Sequence, residues 1–399
     1  MSDFRSAHMI EALRSGVPSR MVGEYFSEAR PGMIKRISSR LEGVCDSGHS
    51  GGMIFCGRYG EGKTHLLNTV FSMASSMNMV VSFVSLGKET PADRTYLLFR
   101  KLMANTYLPG AAQPGFRQKL EELTKGSAVS SELLAYSAKE LQTDKLYYLL
   151  RAFLETGEEE ERLAFLADLE GDFASNALIK RSYRRLTGKP AKFSQTFSKT
   201  KHGMDYMHFA SHLFLQLGYS GWVILLDEAE LIGRLGKKTR MKCYRNMYSL
   251  LYPDAKLEGV FSLFALSSSY TQDVIDKRNE YAIAEEVYAE EPDAARAVST
   301  VLNAMVNAPE LAPLSKSEIL QILMSIQRFH GDAYDWSPEV SAEAVYDATE
   351  GGGYLLRTKI RAAIEFFDQL YLYGEAGKVR ITQLGKEILE EEVPSLEEI

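Results

Sequence analysis

Short apolar runs alternate with segments of helical periodicity up to about residue 270. The runs at 53–56, 79–86, 222–226 and 261–266 are too short for helices and predict buried strands. Helices are predicted between them, at 63–77, 94–104 and 204–217. Strands that alternate with helices and are apolar on both faces indicate a parallel sheet covered on two sides.

Strand signals vanish in two long segments. The pattern is helical from about residue 105 to 201, and after about 308 it predicts helices at 316–329, 337–348 and 354–371. Another helix, at 33–44, precedes the first strand. We therefore expect an N-terminal helical segment (1–50), an α/β core (51–310) with a helical insertion at about 105–201, and a C-terminal helical lid and tail (311–399).

Composition places the chain among ordinary globular proteins. Its 399 residues are 45% apolar and 25% charged, which excludes a disordered or fibrous chain. No segment approaches the roughly 20 apolar residues of a membrane span, and the three cysteines form no disulfide or zinc pattern. We expect a cytoplasmic protein without a membrane partner. The net charge of 46 − 53 = −7 argues against a protein that coats DNA indiscriminately.

A glycine-rich motif follows the first predicted strand. Gly57-Arg58-Tyr59-Gly60-Glu61-Gly62-Lys63-Thr64 fits the P-loop pattern, and His65 comes next. Glycines let successive backbone N–H groups surround phosphates, Lys63 would reach the β- and γ-phosphates, and the Thr64 hydroxyl would ligate Mg²⁺. The alternative, a glycine-rich turn with a capping Lys-Thr pair, is disfavoured because a strand precedes the motif and a helix follows it. ATP and Mg²⁺ are the expected ligands.

Two acidic residues end the third predicted strand. Asp227 lies where a carboxylate would hold Mg²⁺, and Glu228 lies where a base would activate water for hydrolysis. The simpler interpretation is that both acids begin the next helix, where negative charge suits the helix dipole. The upstream P-loop favours the catalytic interpretation, with Lys63, Asp227 and Glu228 as catalytic residues.

The net charge conceals two basic blocks. Aromatic residues alternate with basic ones between 180 and 201, and a second block follows the acidic pair. Basic groups neutralise phosphates, so we take as nucleic-acid candidates Lys180, Arg181, Arg184, Arg185, Lys189, Lys192, Lys237, Lys238 and Arg240. The partner expected there is double-stranded DNA. The alternatives are a surface that binds a partner protein and a solvated face that pairs with the acidic stretch 155–161.

The adjacent Asp-Glu pair resembles that of AAA+ ATPases. The segment 310–315 (ELAPLS), followed by a helix, resembles the entry from strand to lid in the origin-recognition and STAND branches. The resemblance implies a P-loop NTPase (AAA+-like) fold of class α/β, with a parallel sheet, a helical insertion and a C-terminal helical lid. It also implies a γ-phosphate sensor at Ser268, a second sensor at Arg357, and a homo-oligomer in which Arg278 or Arg296 would reach a neighbouring subunit.

Three strings together resemble a narrower family. The segments 12–20 (ALRSGVPSR), 57–65 (GRYGEGKTH) and 226–230 (LDEAE) are similar to those of the BREX (bacteriophage exclusion) ATP-binding proteins of the BrxD type. The resemblance implies a bacterial antiviral ATPase with helicase-like or other defence-system proteins as partners.

The expected function is ATP hydrolysis coupled to remodelling of DNA or a partner protein. The alternative is an ATP-gated switch or scaffold with little turnover, against which Glu228 argues because a switch needs no water-activating base. A small-molecule kinase is disfavoured by the Asp-Glu pair, the lid and the length.

Overall fold

A computed structural model describes residues 4–15, 30–349 and 356–379 of the chain. Its strands are β1 (Gly51–Gly57), β2 (Val80–Ser85), β3 (Thr106–Tyr107), β4 (Trp222–Asp227) and β5 (Val260–Ser267). Its α-helices up to β4 are α1 (Phe4–Ser15), α2 (Pro31–Ser47), α3 (Lys63–Ser76), α4 (Thr95–Ala104), α5 (Arg117–Glu121), α6 (Ala128–Lys139), α7 (Lys145–Glu155), α8 (Glu159–Leu169), α9 (Asn176–Thr187) and α10 (Gly203–Gln216). Those after β4 are α11 (Lys237–Leu251), α12 (Glu280–Val287), α13 (Pro292–Val306), α14 (Lys316–Tyr334), α15 (Ala342–Ala348) and α16 (Leu356–Tyr373), with a 3₁₀-helix at Ala229–Arg234 and a π-helix at Thr271–Asp276.

Within the described residues the strands form a single sheet in the order β1-β5-β4-β2-β3. The pairs β1–β5, β5–β4 and β4–β2 are parallel, as predicted, and the short β3 adds an antiparallel edge to β2. Every residue of β4 is buried, which explains its uninterrupted apolar run. The chain thus has a mixed α/β architecture with a mostly parallel sheet.

The helix α11 packs very closely on the start of β1. A Cβ atom at Gly52 would lie 2.7 Å from the Cα of Leu251, so only glycine lets the two backbones approach this closely. The start of β1 therefore contains a glycine that helix–strand packing requires.

The predicted insertion is helical and contains a buried ion pair. Its helices α6 to α8 bury leucine and phenylalanine side chains, while the Lys145 ammonium lies 2.5 Å from Asp168, with both side chains fully buried. The Tyr206 hydroxyl and the Ala174 N–H also donate to Asp168. A buried ion pair is tolerated only when its remaining polar sites are satisfied in this way.

The chain divides into two compact units. The small unit comprises Met1–Pro31, Tyr59–Thr69 and Ala312–Ile399, as far as the structure describes them, and the large unit comprises Gly32–Arg58 and Val70–Leu311. Residues 1–50, grouped as one segment in the sequence, thus contribute α1 to the small unit and nearly all of α2 to the large one.

The core of the small unit joins the N-terminal helix to the C-terminal helices. Met9, Ile10 and Leu13 of α1 are buried in one cluster with apolar residues of α14 and α16. Arg14 extends this contact, because its guanidinium donates to both carboxylate oxygens of Asp368 at 2.9 Å.

Candidate functional site

The carboxyl ends of β1, β5 and β4 lie at one edge of the sheet. Gly57 is paired in register with Ser267, and Asp227 is the last residue of β4, the next strand along. The Ser268 N–H donates to the Gly57 carbonyl at 3.2 Å, which fixes the end of β5 beside the start of the glycine-rich loop. Ligands of open α/β sheets bind at this edge.

The first glycine of the motif is closely packed. The segment Pro309–Leu311 lies along β1: the Cys56 N–H donates to the Pro309 carbonyl at 3.0 Å, and the Leu311 N–H donates to the Cys56 carbonyl at 2.8 Å. A Cβ atom at Gly57 would lie 3.2 Å from the Leu311 side chain. A side chain at position 57 would therefore require the Leu311 side chain to shift by a few tenths of an ångström.

Two glycines of the loop adopt backbone conformations that favour glycine, and a helix follows the loop. Gly60 and Gly62 have φ angles of 81° and 89°, a region that favours glycine, and α3 begins at Lys63. The Gly62 carbonyl accepts from the Leu66 N–H at 3.0 Å, which begins the helical hydrogen bonding. Thr64 and His65 lie in the first turn, and their carbonyls accept from the side chains of Asn68 and Thr69. Lys63 and Thr64 are thus at the amino end of a helix, where anions are stabilised.

The acidic pair combines a buried carboxylate with a strained backbone. Asp227 is 3% exposed, and its Oδ1 accepts from the Glu228 N–H at 2.9 Å. Glu228 has φ 56° and ψ 36°, the left-handed region, and its side chain is exposed. Such backbone costs about 1–3 kcal/mol for a residue with a side chain and is concentrated at functional sites. The sequence placed the acids at the end of a strand but gave no indication of this strain.

The side-chain hydroxyl of Ser268 has unused hydrogen-bonding capacity. Its Oγ is buried, and within the described part of the chain it has no hydrogen-bond partner. Buried hydroxyls normally have one, since an unsatisfied group costs about 1–3 kcal/mol. The predicted sensor role of Ser268 gains a physical basis from this position at the sheet edge, although it stays a prediction.

Two other arginines bear on the site. Arg357 lies in the first turn of α16, and its side chain lies outside the described residues, so its predicted sensor role stays a prediction. Arg30, which the sequence did not single out, donates from its guanidinium to the Glu61 carbonyl in the glycine-rich loop. An arginine before a helix-starting proline gives no sign of a contact 31 residues away.

The first basic block forms an exposed face on α9 and the segment after it. Lys180, Arg181, Arg184, Lys189 and Lys192 are all exposed. In the described part of the chain, none of these five side chains forms an ion pair with an acid.

One further member of the block is exposed but paired with an acid. Arg185 pairs with Glu161 at 2.6 Å. Burial opposes ionisation of Glu161, but hydrogen bonds from Arg185 and Thr156 and attraction to the Arg185 charge lower the pKa of this carboxyl. The solvated-face alternative thus applies to this one arginine.

The aromatic residues of the block point inward. Phe193 stacks on Tyr148 with ring centroids 5.3 Å apart, Tyr183 meets the same ring edge-on, and Phe197 packs near the buried Lys145. They contribute to packing of the insertion, which leaves the cations as its exposed feature.

The second basic block requires a correction. Arg240 is 5% exposed and forms an ion pair with the fully buried Glu280, and it also donates to the Leu235 carbonyl. Burial opposes its charge, but hydrogen bonding and attraction to Glu280 raise the pKa of Arg240. Its prediction as a nucleic-acid contact is wrong, because a packed ion pair cannot reach a phosphate. Lys237 pairs with Glu286, whereas Lys238 is exposed.

Sheet order, the glycine-rich loop and the acidic pair at the sheet edge are consistent with a P-loop NTPase-like fold. The model of the family described as BREX system ATP-binding protein BrxC/D matches residues 1–186 and 148–352. The chain belongs to this family, which confirms the family expected from the sequence. No curated protein and no solved structure was found to match the chain. None of the helices in the described ranges has the length and apolarity needed to span a membrane.

Proposed function

We propose that this protein is a Mg²⁺-dependent ATPase of a bacterial anti-phage (BREX) defence system, of the BrxD type, whose turnover remodels DNA or a partner protein. The family supports ATP as the ligand and BREX as the setting. The observation that carries hydrolysis is the exposed Glu228, held in left-handed backbone directly after the buried Asp227. A pure nucleotide-binding switch has no need of an exposed acid maintained at this energetic cost.

The chemistry of two residues suits the proposed magnesium ion. The Thr64 hydroxyl and the Asp227 carboxylate would be its protein ligands, because Mg²⁺ prefers such oxygen ligands together with substrate phosphates. When bound, the ion neutralises charge that develops on the phosphates. Asp227 is already oriented by the Glu228 N–H, so its carboxylate has a fixed direction at the sheet edge.

Each further residue has one role in this proposal. Backbone N–H groups between Gly57 and Gly62 bind the phosphates, Lys63 neutralises the β- and γ-phosphates, and Glu228 takes a proton from the attacking water. Ser268 donates its buried hydroxyl to the γ-phosphate. The exposed cations of α9 contact the backbone of double-stranded DNA, because lysine and arginine side chains that neutralise DNA phosphates release the counterions bound there.

ATP hydrolysis with Mg²⁺, measured with and without double-stranded DNA, tests the proposal. We expect Lys63→Ala to lose ATP binding, since the charge that faces the phosphates is gone. Glu228→Gln should bind ATP but lose at least roughly 100-fold in turnover, because an amide cannot accept the proton. Glu285→Gln, which changes an exposed glutamate of α12, is the control and should hydrolyse normally.

The two candidate functions give different results in this assay. ATP binding by the wild type without turnover, even with DNA and defence-system partners present, would contradict hydrolysis and favour the ATP-gated switch. Equal turnover by Glu228→Gln and the wild type would leave hydrolysis in place but remove Glu228 as its base.

A further inference from the structure

Arg30 contacts the glycine-rich loop and the start of α14 at once. Its guanidinium donates from Nη2 to the Glu61 carbonyl and from Nε to the Ala312 carbonyl, the latter at 3.3 Å. Its backbone N–H donates to the Glu318 carboxylate at 3.2 Å. All of these residues belong to the small unit. One residue thus links a segment of the proposed phosphate site to the first C-terminal helix.

The surrounding structure holds Arg30 in an unfavourable backbone conformation at this contact. Arg30 has φ 61°, a left-handed conformation that costs an arginine free energy and that persists only when its surroundings impose it. Burial lowers the pKa of Arg30, and attraction to Glu61 and Glu318 opposes this effect. An arginine remains charged under such conditions, so its hydrogen bonds are charge-assisted.

Glu318 is fixed independently of Arg30. It forms a capping box with Ser315, in which the Ser315 N–H donates to the carboxylate at 2.8 Å and the Ser315 hydroxyl accepts from the Glu318 N–H at 3.3 Å. These bonds hold the carboxylate at the first turn of α14. Arg30 therefore contacts a rigid helix end on one side and the loop on the other.

The direction of the Glu61 carbonyl decides the direction of the next N–H group. In a trans peptide the C=O and N–H point to opposite sides, and no cis peptide is found in the described chain. Because the Glu61 carbonyl points to Arg30, the Gly62 N–H points away from it. Gly62 can adopt this orientation because its φ of 89° is free of side-chain clashes.

We propose that Arg30 is a positioning residue that orients the Gly62 N–H for phosphate binding and couples occupancy of the loop to the start of α14. The inference rests on the proposed function, since it takes the loop to bind nucleotide. By linkage, a nucleotide that fixes the Glu61–Gly62 peptide strengthens the contacts of Arg30, and those contacts strengthen nucleotide binding by the same factor.

Arg30→Lys and Arg30→Ala test this coupling. Lysine keeps the charge but cannot donate from two fixed nitrogens to two carbonyls, so both variants should lose the link. We expect each to bind a non-hydrolysable ATP analogue with Mg²⁺ about tenfold more weakly, the scale of one charge-assisted hydrogen bond. Arg36→Ala removes an exposed arginine six residues on and is the matched control, with unchanged affinity.

Hydrogen exchange separates coupling from folding. In the wild type and Arg36→Ala, the saturating analogue should slow exchange of the backbone amides between 315 and 319. In the Arg30 variants that change should disappear at saturation, whereas the melting temperature of nucleotide-free Arg30→Lys should match the wild type.

Three results would overturn the inference. Wild-type protein that binds the analogue without a change at 315–319 would remove the coupling, and Arg30→Lys that keeps both affinity and the exchange change would remove Arg30 from it. Both leave the proposed function standing. Wild-type protein that fails to bind the analogue would overturn the proposed function together with this inference.

Discussion

At the scale of single residues, Glu228 combines an unfavourable backbone conformation with the side chain that the proposed hydrolysis needs. An acid in left-handed conformation is less stable there than glycine, yet glycine offers no carboxylate to the site. Asp227 stabilises the turn by accepting the Glu228 N–H, which offsets part of the free energy that left-handed backbone costs at Glu228. Glu228 also begins the 3₁₀-helix at Ala229–Arg234, where its carbonyl accepts from the Leu231 N–H at 3.0 Å, so the helix start and the proposed catalytic role fall on the same residue.

This trade-off predicts opposite effects of glycine on stability and turnover. Glu228→Gly should be about 1 kcal/mol more stable to unfolding than Glu228→Ala, because only alanine carries a Cβ at positive φ. Both should lack ATP turnover. Denaturant unfolding of the two variants measures the difference.

The control is the same pair of substitutions in ordinary helix. At Glu285, in α12, glycine should be about 1 kcal/mol less stable than alanine. A glycine variant at 228 that is no more stable than the alanine variant would show that the backbone there is unstrained.

At the scale of elements, α9 separates its two faces clearly. Ile179 and Ser182 are buried, whereas Lys180, Arg181 and Arg184 are exposed. The helix also ends at Gly188 in left-handed backbone, so the basic segment up to Lys192 continues beyond a defined helix end. The exposed cations therefore form a surface on a fixed element, which suits recognition of a regular phosphate backbone.

Reversing two of these charges should weaken DNA binding steeply. Arg181→Glu with Arg184→Glu replaces two phosphate-binding cations with repelling acids, and affinity should depend less on salt because fewer counterions are released on binding. Binding of a double-stranded oligonucleotide at low salt measures the effect. Arg36→Glu with Arg40→Glu makes the same change in net charge at two exposed arginines of α2 and should bind normally. Equal affinity of both double variants would show that Arg181 and Arg184 do not bind DNA.

The sequence was sufficient for most elements and for part of the site. Periodicity predicted β1, β2, β4 and β5 within a few residues, because apolar runs and glycine boundaries are local signals. The two-residue β3 has too few residues to show a pattern. Arg240 could not be separated from its exposed neighbours, because its partner Glu280 lies 40 residues away and only the fold brings them together.

At the scale of the whole molecule, helices that are neighbours in the sequence belong to different compact units. The N-terminal helix α1 shares its core with α14 and α16, which come at the other end of the chain, while α2 belongs almost wholly to the large unit with the sheet. Periodicity identifies the apolar face of a helix but carries no information about which distant face covers it. The division of residues 1–50 between two units could therefore not be read from the sequence.

Because α1 belongs to the core of the small unit, a substitution in α1 should destabilise that unit most. Ile10 is fully buried in the small unit, so Ile10→Ala should destabilise that unit by about 2–5 kcal/mol through the cavity it leaves. Native-state hydrogen exchange should show the largest loss of protection in α14 and α16, and a smaller one in β4 and β5. His8→Ala, an exposed position on the same helix, should change neither. An equal loss in strands and C-terminal helices would mean that the two units unfold together, and that α1 stabilises the sheet as much as the helices it contacts.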